Sequence, residues 1–170
     1  MAEIKIPKAR VAVLLGVKGK TKRKIEKITN IKLKINSQEG EVEISGGPLE
    51  VYQTEPIIKA IARGFNPEIA LMLMDEENSF ELIDIKQYSG GSKKKIERMK
   101  SRLIGEKGRC RKTIEDIADV KLSIFGKTVG IIGKIENVHL ARIAVQDILR
   151  GAPHGPVYKK LEERISKLHE

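Results

Sequence analysis

The chain has 170 residues, of which 40% are hydrophobic, and it carries a formal net charge of +10 at pH 7. That length suits one medium-sized domain or two small ones, and no apolar run reaches the roughly 18 residues of a membrane-spanning helix. The single cysteine, Cys110, excludes an internal disulfide, and the first residues do not resemble a signal peptide. We therefore expect a cytoplasmic protein whose partners are polyanions, either nucleic acid or an anionic membrane surface.

The charge is unevenly distributed along the chain. Residues 1–64 hold 13 basic and 7 acidic side chains, a net of +6, and residues 65–92 hold 1 and 6, a net of −5. Residues 93–170 hold 19 and 10, a net of +9. A lysine-rich surface can also serve solubility or growth at high temperature, but that explanation predicts scattered charge. Two basic segments around an acidic one favour a specific polyanionic partner.

The first 64 residues predict a strand, two helices, two strands and a third helix. In chain order these are a strand at 4–6, an apolar helix at 11–15, a helix after 19, strands at 31–35 and 42–44, and a helix at 51–61. The strand at 31–35 is predicted from apolar–polar alternation, and the second helix from Ile25 and Ile28, whose i, i+3 spacing places them on one face. Gly64, with a proline three residues later, predicts the end of the third helix.

The same pattern then occurs a second time. Residues 16–35 align with 105–124 at an offset of 89, and the offset becomes 87 from residue 42 onward. A shorter loop between two strands of the second copy explains this change in the offset. We expect an α+β fold in which each copy packs a three-stranded sheet on three helices. The predicted domains are 1–64 and 80–152, joined by an acidic connector at 65–79 with a short helix, and followed by a basic amphipathic helix within 153–170.

A Gly-x-x-Gly motif lies between the first two helices of each copy, at 16–19 and 105–108. Glycine permits positive φ and a close approach of another backbone, and a helix N-terminus presents free N–H groups that suit phosphate. Basic residues follow at the same offsets in both copies. The predicted RNA-binding residues are Gly16, Val17, Lys18, Gly19, Lys20, Lys22, Arg23, Gly105, Glu106, Lys107, Gly108, Arg109, Arg111 and Lys112.

Glycine pairs of this kind also occur for reasons unrelated to RNA. A single Gly-x-x-Gly is common by chance and often only ends a helix. A Walker loop is excluded because neither copy has four residues between its glycines before Lys-Ser/Thr, and the dinucleotide motif Gly-x-Gly-x-x-Gly is absent. Two copies in the same context, both with basic residues, make nucleic-acid binding the preferred interpretation.

No constellation of residues predicts catalysis or a metal site. His139, His154 and His169 are 15 residues apart and far from Cys110, so no zinc-binding spacing exists. Cys110 lies near a predicted helix start beside two arginines, which could lower its pKa. Alternatively, it is a small structural residue that corresponds to Thr21 in the first copy. We expect a non-enzymatic protein without a cofactor or metal.

The glycine motif and its surroundings resemble the K-homology (KH) domain. The isoleucine six residues after the second glycine, at Ile25 and Ile114, and the alternating strand that follows carry the resemblance. In that family the loop clamps about four nucleotides. Two strands and a helix after the motif match the type I, eukaryotic-style order, so the resemblance implies two tandem type I KH domains (β-α-α-β-β-α). One departure is that Lys22 and Arg111 stand where many KH domains have an apolar residue.

The second copy also resembles the small-subunit ribosome assembly factors called partner of Nob, in their archaeal form. Residues 109–115, 120–124 and 132–138 carry this similarity. It implies binding of single-stranded RNA near the 3′ end of small-subunit ribosomal RNA. It also implies contacts with the Nob endonuclease and with the alpha subunit of translation initiation factor two. Whether both copies bind RNA, or one docks a protein as a scaffold in which RNA contact is secondary, stays open at this point.

Overall fold

The computed structural model describes residues 1–170 and contains two compact units, Met1–Glu76 (unit 1) and Glu77–Glu170 (unit 2). Each unit has one three-stranded antiparallel sheet with helices, so the predicted α+β class is confirmed. The division between the units differs from the predicted domain boundaries. Residues 65–76 fold with unit 1, and the C-terminal helix folds with unit 2.

Unit 1 has the order β-α-α-β-β-α, followed by a short fourth helix. Its elements are β1 (Ala2–Lys5), α1 (Lys8–Leu15), α2 (Lys20–Thr29), β2 (Lys32–Asn36), β3 (Glu41–Ser45), α3 (Pro48–Ala62) and α4 (Pro67–Ala70). Short 3₁₀ turns, Val17–Gly19 and Leu71–Met74, follow α1 and α4. The short helix predicted within the connector begins at Pro67, because proline suits the first turn of a helix, where no backbone N–H donor is needed.

The sheet of unit 1 has one apolar and one charged face. The strand order is β1-β3-β2, and Leu33 pairs with Ile44 on the face that the helices cover. Val42 and Ile44 of the central strand have no exposed surface. On the other face Glu43 pairs with Glu3 and Lys34. This alternation confirms the half-buried strand predicted at 31–35, and burial of its aliphatic face is the main stabilising term.

Unit 2 repeats this order with two additional helices. Its elements are β4 (Asn78–Asp84), α5 (Lys86–Ser89), α6 (Lys93–Ile104), α7 (Arg109–Ala118), β5 (Val120–Phe125), β6 (Thr128–Lys134), α8 (Ile135–Leu149) and α9 (His154–Leu168). A 3₁₀ turn, Glu106–Gly108, joins α6 to α7, and the strand order is β4-β6-β5. The short helix α5 has no counterpart in the sequence-based prediction.

The C-terminal helix α9 is part of the repeat, although the sequence places it outside. At an offset of 87, His154 corresponds to Pro67, so α9 and α4 begin at the same position. The residues before them have nearly the same φ and ψ, −64° and 146° at Asn66 and −63° and 145° at Pro153. The segment predicted as a connector therefore contains a truncated copy of α9. The two helices share neither length nor residue identities, which is why the sequence alignment does not extend to them.

Two arginine side chains bind carbonyl groups at the C-terminal ends of α3 and α8. In unit 1, Arg10 donates hydrogen bonds of 2.8 Å to the carbonyl oxygens of Ile61 and Phe65. In unit 2, Arg102 donates bonds of 2.8 and 2.7 Å to the carbonyls that lie 87 residues further along. The carbonyls of Ile61 and Ile148 also accept backbone N–H bonds from Gly64 and Gly151, so each arginine adds a charged donor at a helix C-terminus, where its positive charge suits the helix dipole.

None of the helices combines the length and the apolar character that crossing a membrane would require.

Candidate nucleic-acid interface

The two Gly-x-x-Gly loops have the same backbone conformation. Both place the first glycine at positive φ with extended ψ, a combination that is essentially restricted to glycine. Both also hold a lysine in the left-handed region, which costs on the order of 1 kcal/mol. The φ and ψ angles are 73° and 176° at Gly16, 54° and 31° at Lys18, 72° and 15° at Gly19, 78° and 170° at Gly105, 55° and 29° at Lys107, and 73° and 15° at Gly108.

The first glycine of each loop lies directly against the start of the following helix. A Cβ atom on Gly16 would be 2.8 Å from the backbone nitrogen of Thr21 and closer still to its side chain. A Cβ atom on Gly105 would be 2.6 Å from the backbone nitrogen of Cys110. No other residue fits at these positions without moving the helix. The first glycine is therefore required for folding of the loop.

The last glycine of each loop faces open space instead. A Cβ atom on Gly108 would meet no atom within 4 Å, and one on Gly19 would meet only the flexible guanidinium of Arg23, with its nearest atom at 3.0 Å. The room beside these two glycines leaves space for the backbone of a bound molecule.

The loop tips and the helix starts behind them are exposed and electropositive. Val17 is 76% exposed. The helices α2 and α7 have no side-chain cap at their N-termini and no acidic residue in the first turn, so their N–H groups and partial positive charge are available to an anion. Of the predicted site residues, nine are exposed: Val17, Lys18, Lys20, Arg23, Glu106, Lys107, Arg109, Arg111 and Lys112. The other five are partly exposed: Gly16, Gly19, Lys22, Gly105 and Gly108.

In each unit a glutamate carboxylate links the helix after the loop, α2 or α7, to the neighbouring strand. The backbone N–H of Leu33 donates a 2.9 Å hydrogen bond to Glu26 Oε2, and the N–H of Leu122 donates a 2.9 Å bond to Glu115 Oε2. Both β2 and β5 are edge strands of their sheets. These bonds therefore fix the position of each edge strand relative to α2 or α7, beside the Gly-x-x-Gly loop. Sequence reasoning did not find this role. The identity of the two glutamates in the aligned copies was the available signal.

Cys110 is a buried structural residue. It is 2% exposed, and burial raises the pKa of its thiol, an effect that a hydrogen bond with Tyr158 and the charge of Arg102 oppose. The alternative of a lowered pKa is therefore wrong, because the loss of hydration on burial outweighs the hydrogen bond with Tyr158 and the charge of Arg102. No group of three or more His, Cys, Asp or Glu residues lies together in a way that could hold a metal ion.

Family comparisons identify both units. A family model described as the eukaryotic-type KH domain (KH domain type I) matches residues 79–166, and a second model, described as the KH domain, matches residues 1–60. The chain belongs to the KH-domain family. Its two KH domains lie in tandem, as the loop motifs predicted, and the match to the second includes most of α9.

Individual relatives connect the chain with the PNO1 group of this family. It is 45% identical over 170 residues to KH domain-containing protein MJ0443 of Methanocaldococcus jannaschii, covering 97% of this chain and 74% of that protein. It is 31% identical over 120 residues to the pre-rRNA-processing protein pno1 of Emericella nidulans, covering 68% of this chain and 46% of that protein. The chain thus corresponds to less than half of the fungal relative.

Solved structures include a close match in fold and sequence. The crystal structure of an a/eIF2alpha–aDim2p–rRNA complex from Pyrococcus horikoshii OT3 contains a chain that is 41% identical to this one. The TM-score is 0.90, with 98% of this chain and 94% of the other covered. The chain is thus a tandem KH RNA-binding protein related to PNO1.

Proposed function

We propose that this chain is a non-enzymatic protein that binds single-stranded RNA near the 3′ end of small-subunit ribosomal RNA during ribosome biogenesis. One observation carries the proposal: both Gly-x-x-Gly loops are intact, exposed, and identical in backbone conformation to within a few degrees. The choice of target is supported by the similar Pyrococcus complex, which includes rRNA, and by the fungal relative, which is a pre-rRNA-processing protein.

Each loop would grip the sugar-phosphate backbone. Phosphates would lie against the uncapped starts of α2 and α7, close to the open space beside Gly19 and Gly108. Lys18 and Lys107 at the loop tips would add charge. The bases would then lie across the surface between the second helix and its edge strand. Such contacts to the backbone give affinity, whereas contacts to base edges give sequence preference.

Two protein partners are proposed, one from the similar Pyrococcus complex and one from the sequence resemblance. The alpha subunit of translation initiation factor two is supported by the similar Pyrococcus complex, in which a/eIF2alpha and rRNA are both present. Contact with the Nob endonuclease rests on the resemblance of the second copy to the assembly factors named for it.

Loop substitutions combined with a salt series test the proposal. The probe is a labelled single-stranded RNA with the 3′-terminal sequence of small-subunit ribosomal RNA, and the readout is fluorescence anisotropy. If each loop neutralises about three phosphates, log affinity should fall against log salt with a slope near −4, from about 0.7 per contact. Changing Val17 and Lys18 to Asp, or Glu106 and Lys107 to Asp, should weaken binding at least tenfold.

The matched control changes Leu49 and Lys59 to Asp, an exposed apolar residue and an exposed lysine of unit 1 that lie outside the loop. It should leave affinity within about twofold. If both loops bind one strand, RNA that spans both sites should bind far more tightly than half-length RNA, because the second contact becomes intramolecular. A salt slope near zero, or loop variants that bind like the control, would contradict the proposal. If only one loop pair matters, the other KH unit is a protein-docking unit.

A further inference from the structure

In unit 2, one flank of α7 is covered by α9. The side chain of Tyr158 of α9 interacts with those of Cys110 and Thr113 of α7. One turn further along α7, Ile117 lines the same surface pocket as Ile165 of α9, and both pack against the core. An amphipathic helix thus fills this side of the KH domain.

In unit 1, the corresponding flank of α2 is uncovered. At the offset of 89, its residues are Thr21, Lys24 and Ile28, which we call the α2 flank. Ile28 is 45% exposed, although the sequence predicted it on the same face as the fully buried Ile25. The physical reason is that the segment after α3 ends its helical path at Met74, whereas α9 continues for about two further turns.

A pocket in unit 1 lies beside the counterpart of Tyr158. At the offset of 87, that counterpart is Leu71, which is shorter and has no hydroxyl group. The pocket beside it has a volume of about 320 Å³ and lies between α2 and the segment after α3. Thr21, Lys24 and Leu71 are among its lining residues. Ile28 lies one turn beyond Lys24 on α2, so the residues from Thr21 to Ile28 mark an uncovered strip about 10 Å long, at 1.5 Å per residue.

This strip is separate from the surface proposed for RNA. Glu26, which binds the edge strand β2, lies two residues before Ile28, and two residues on an α-helix are about 160° apart around its axis. The α2 flank and the side facing the strand are therefore on opposite sides of the same helix. A molecule on the flank would not cover the groove.

The charge of the flank indicates what would bind there. Lys24 and Lys27 are exposed along this side of α2 and neither forms an ion pair, and Glu68 is the one acidic residue among those that line the pocket. We propose that the α2 flank is a docking site for an acidic amphipathic helix of a partner protein, which would lie along α2 beside residues 67–74, the segment that takes the place of the first half of α9. Apolar side chains would cover Ile28 and enter the pocket, and acidic side chains would meet the lysines. A helix of about two turns spans the strip.

A peptide derived from α9 provides the probe. It has the sequence of residues 154–168 with the four basic residues changed to Glu: Lys159, Lys160, Arg164 and Lys167. Its packing face is kept, with Val157, Tyr158, Leu161 and Ile165 unchanged. Binding of the labelled peptide to the full chain is measured by fluorescence anisotropy. We expect it to bind at least tenfold more tightly than the unmodified α9 sequence, whose charge matches that of the lysines.

Two variants of the chain locate the binding. Ile28→Glu should weaken the acidic peptide at least tenfold by placing a like charge in the apolar strip. Leu71→Tyr should weaken it at least fivefold by placing a larger side chain into the pocket. The matched control, Leu49→Glu, changes another exposed apolar residue of unit 1 and should leave the affinity unchanged.

Absence of saturable binding by the acidic peptide would overturn the proposal, as would equal binding to Ile28→Glu and the unmodified chain. If Ile28→Glu and Leu71→Tyr instead weaken single-stranded RNA and leave the peptide unaffected, the flank binds nucleic acid and the helix-docking proposal is wrong. The RNA measurement on the unmodified chain is independent, so the proposed function can stand while this inference fails.

Discussion

The two KH units agree in the loop and differ in what covers the second helix. Loop conformation, the arginine bound to the end of the third helix, and the glutamate bound to the edge strand all occur twice. After the third helix, unit 2 continues into the 15 residues of α9, whereas the 4 residues of α4 and a short turn end the path in unit 1. The features common to both units position the loop. The segment after the third helix differs between them, and it determines whether the flank of α2 or of α7 is accessible.

The arginines show how a contact can be kept while its position changes. Arg10 lies six residues before the first glycine of its loop, and Arg102 lies three residues before. Both nevertheless reach equivalent carbonyl groups, because residues about one turn apart on a helix share a face. The carbonyl acceptors therefore lie at equivalent positions in the two units, whereas the arginine donors do not.

Alanine at the first and last glycines tests the division of roles within each loop, and it should have the largest effect. Gly16→Ala and Gly105→Ala place a Cβ atom against the next helix in a backbone region closed to alanine, so we expect a loss of more than about 3 kcal/mol in the free energy of unfolding. Gly108→Ala, the matched control, should cost about 1 kcal/mol, since only its positive φ is unfavourable. Urea denaturation measures both. Equal losses would show that the first glycine has no special steric role.

Removing the arginines tests whether the repeated carbonyl contact stabilises both units. Arg10→Ala and Arg102→Ala each remove two charge-assisted hydrogen bonds to partly buried carbonyls, and we expect each to lower the free energy of unfolding by about 2 to 3 kcal/mol. Arg10→Lys is the control, because it keeps the charge but reaches one carbonyl at most, and it should recover about half of the loss. A loss below about 0.5 kcal/mol in both units would mean that water replaces the side chain without penalty.

Exchanging the tip residues tests the one charge difference between the loops. Val17 occupies the position where the second loop has Glu106, so the second loop carries one more negative charge. Glu106→Val should strengthen RNA binding severalfold, and Val17→Glu should weaken it severalfold, as expected for a charge within about 4 Å of a phosphate in water, worth about 1 kcal/mol. Anisotropy at low salt measures both, and the differences should shrink as salt is raised. Changes in the same direction for both variants would exclude an electrostatic cause.

Much of this structure follows from the sequence because the informative patterns are local. Alternation at 31–35 predicted a half-buried strand, and the glycine pairs predicted loops with positive φ between two helices. Features that depend on distant residues could not be found in this way. Tyr158, which interacts with Cys110, lies on α9, the exposure of Ile28 results from a helix that stops early, and the two arginines do not align. In each case the deciding neighbour is more than 40 residues away.

The hydrogen bond between Glu26 and the N–H of Leu33, and its counterpart in unit 2, also affect aggregation at high protein concentration. An edge strand with free N–H groups is a template on which another chain can add a strand. Here the incoming chain would have to displace a carboxylate and break a charge-assisted bond before making its own. The two glutamates therefore also protect these sheets against edge-to-edge aggregation.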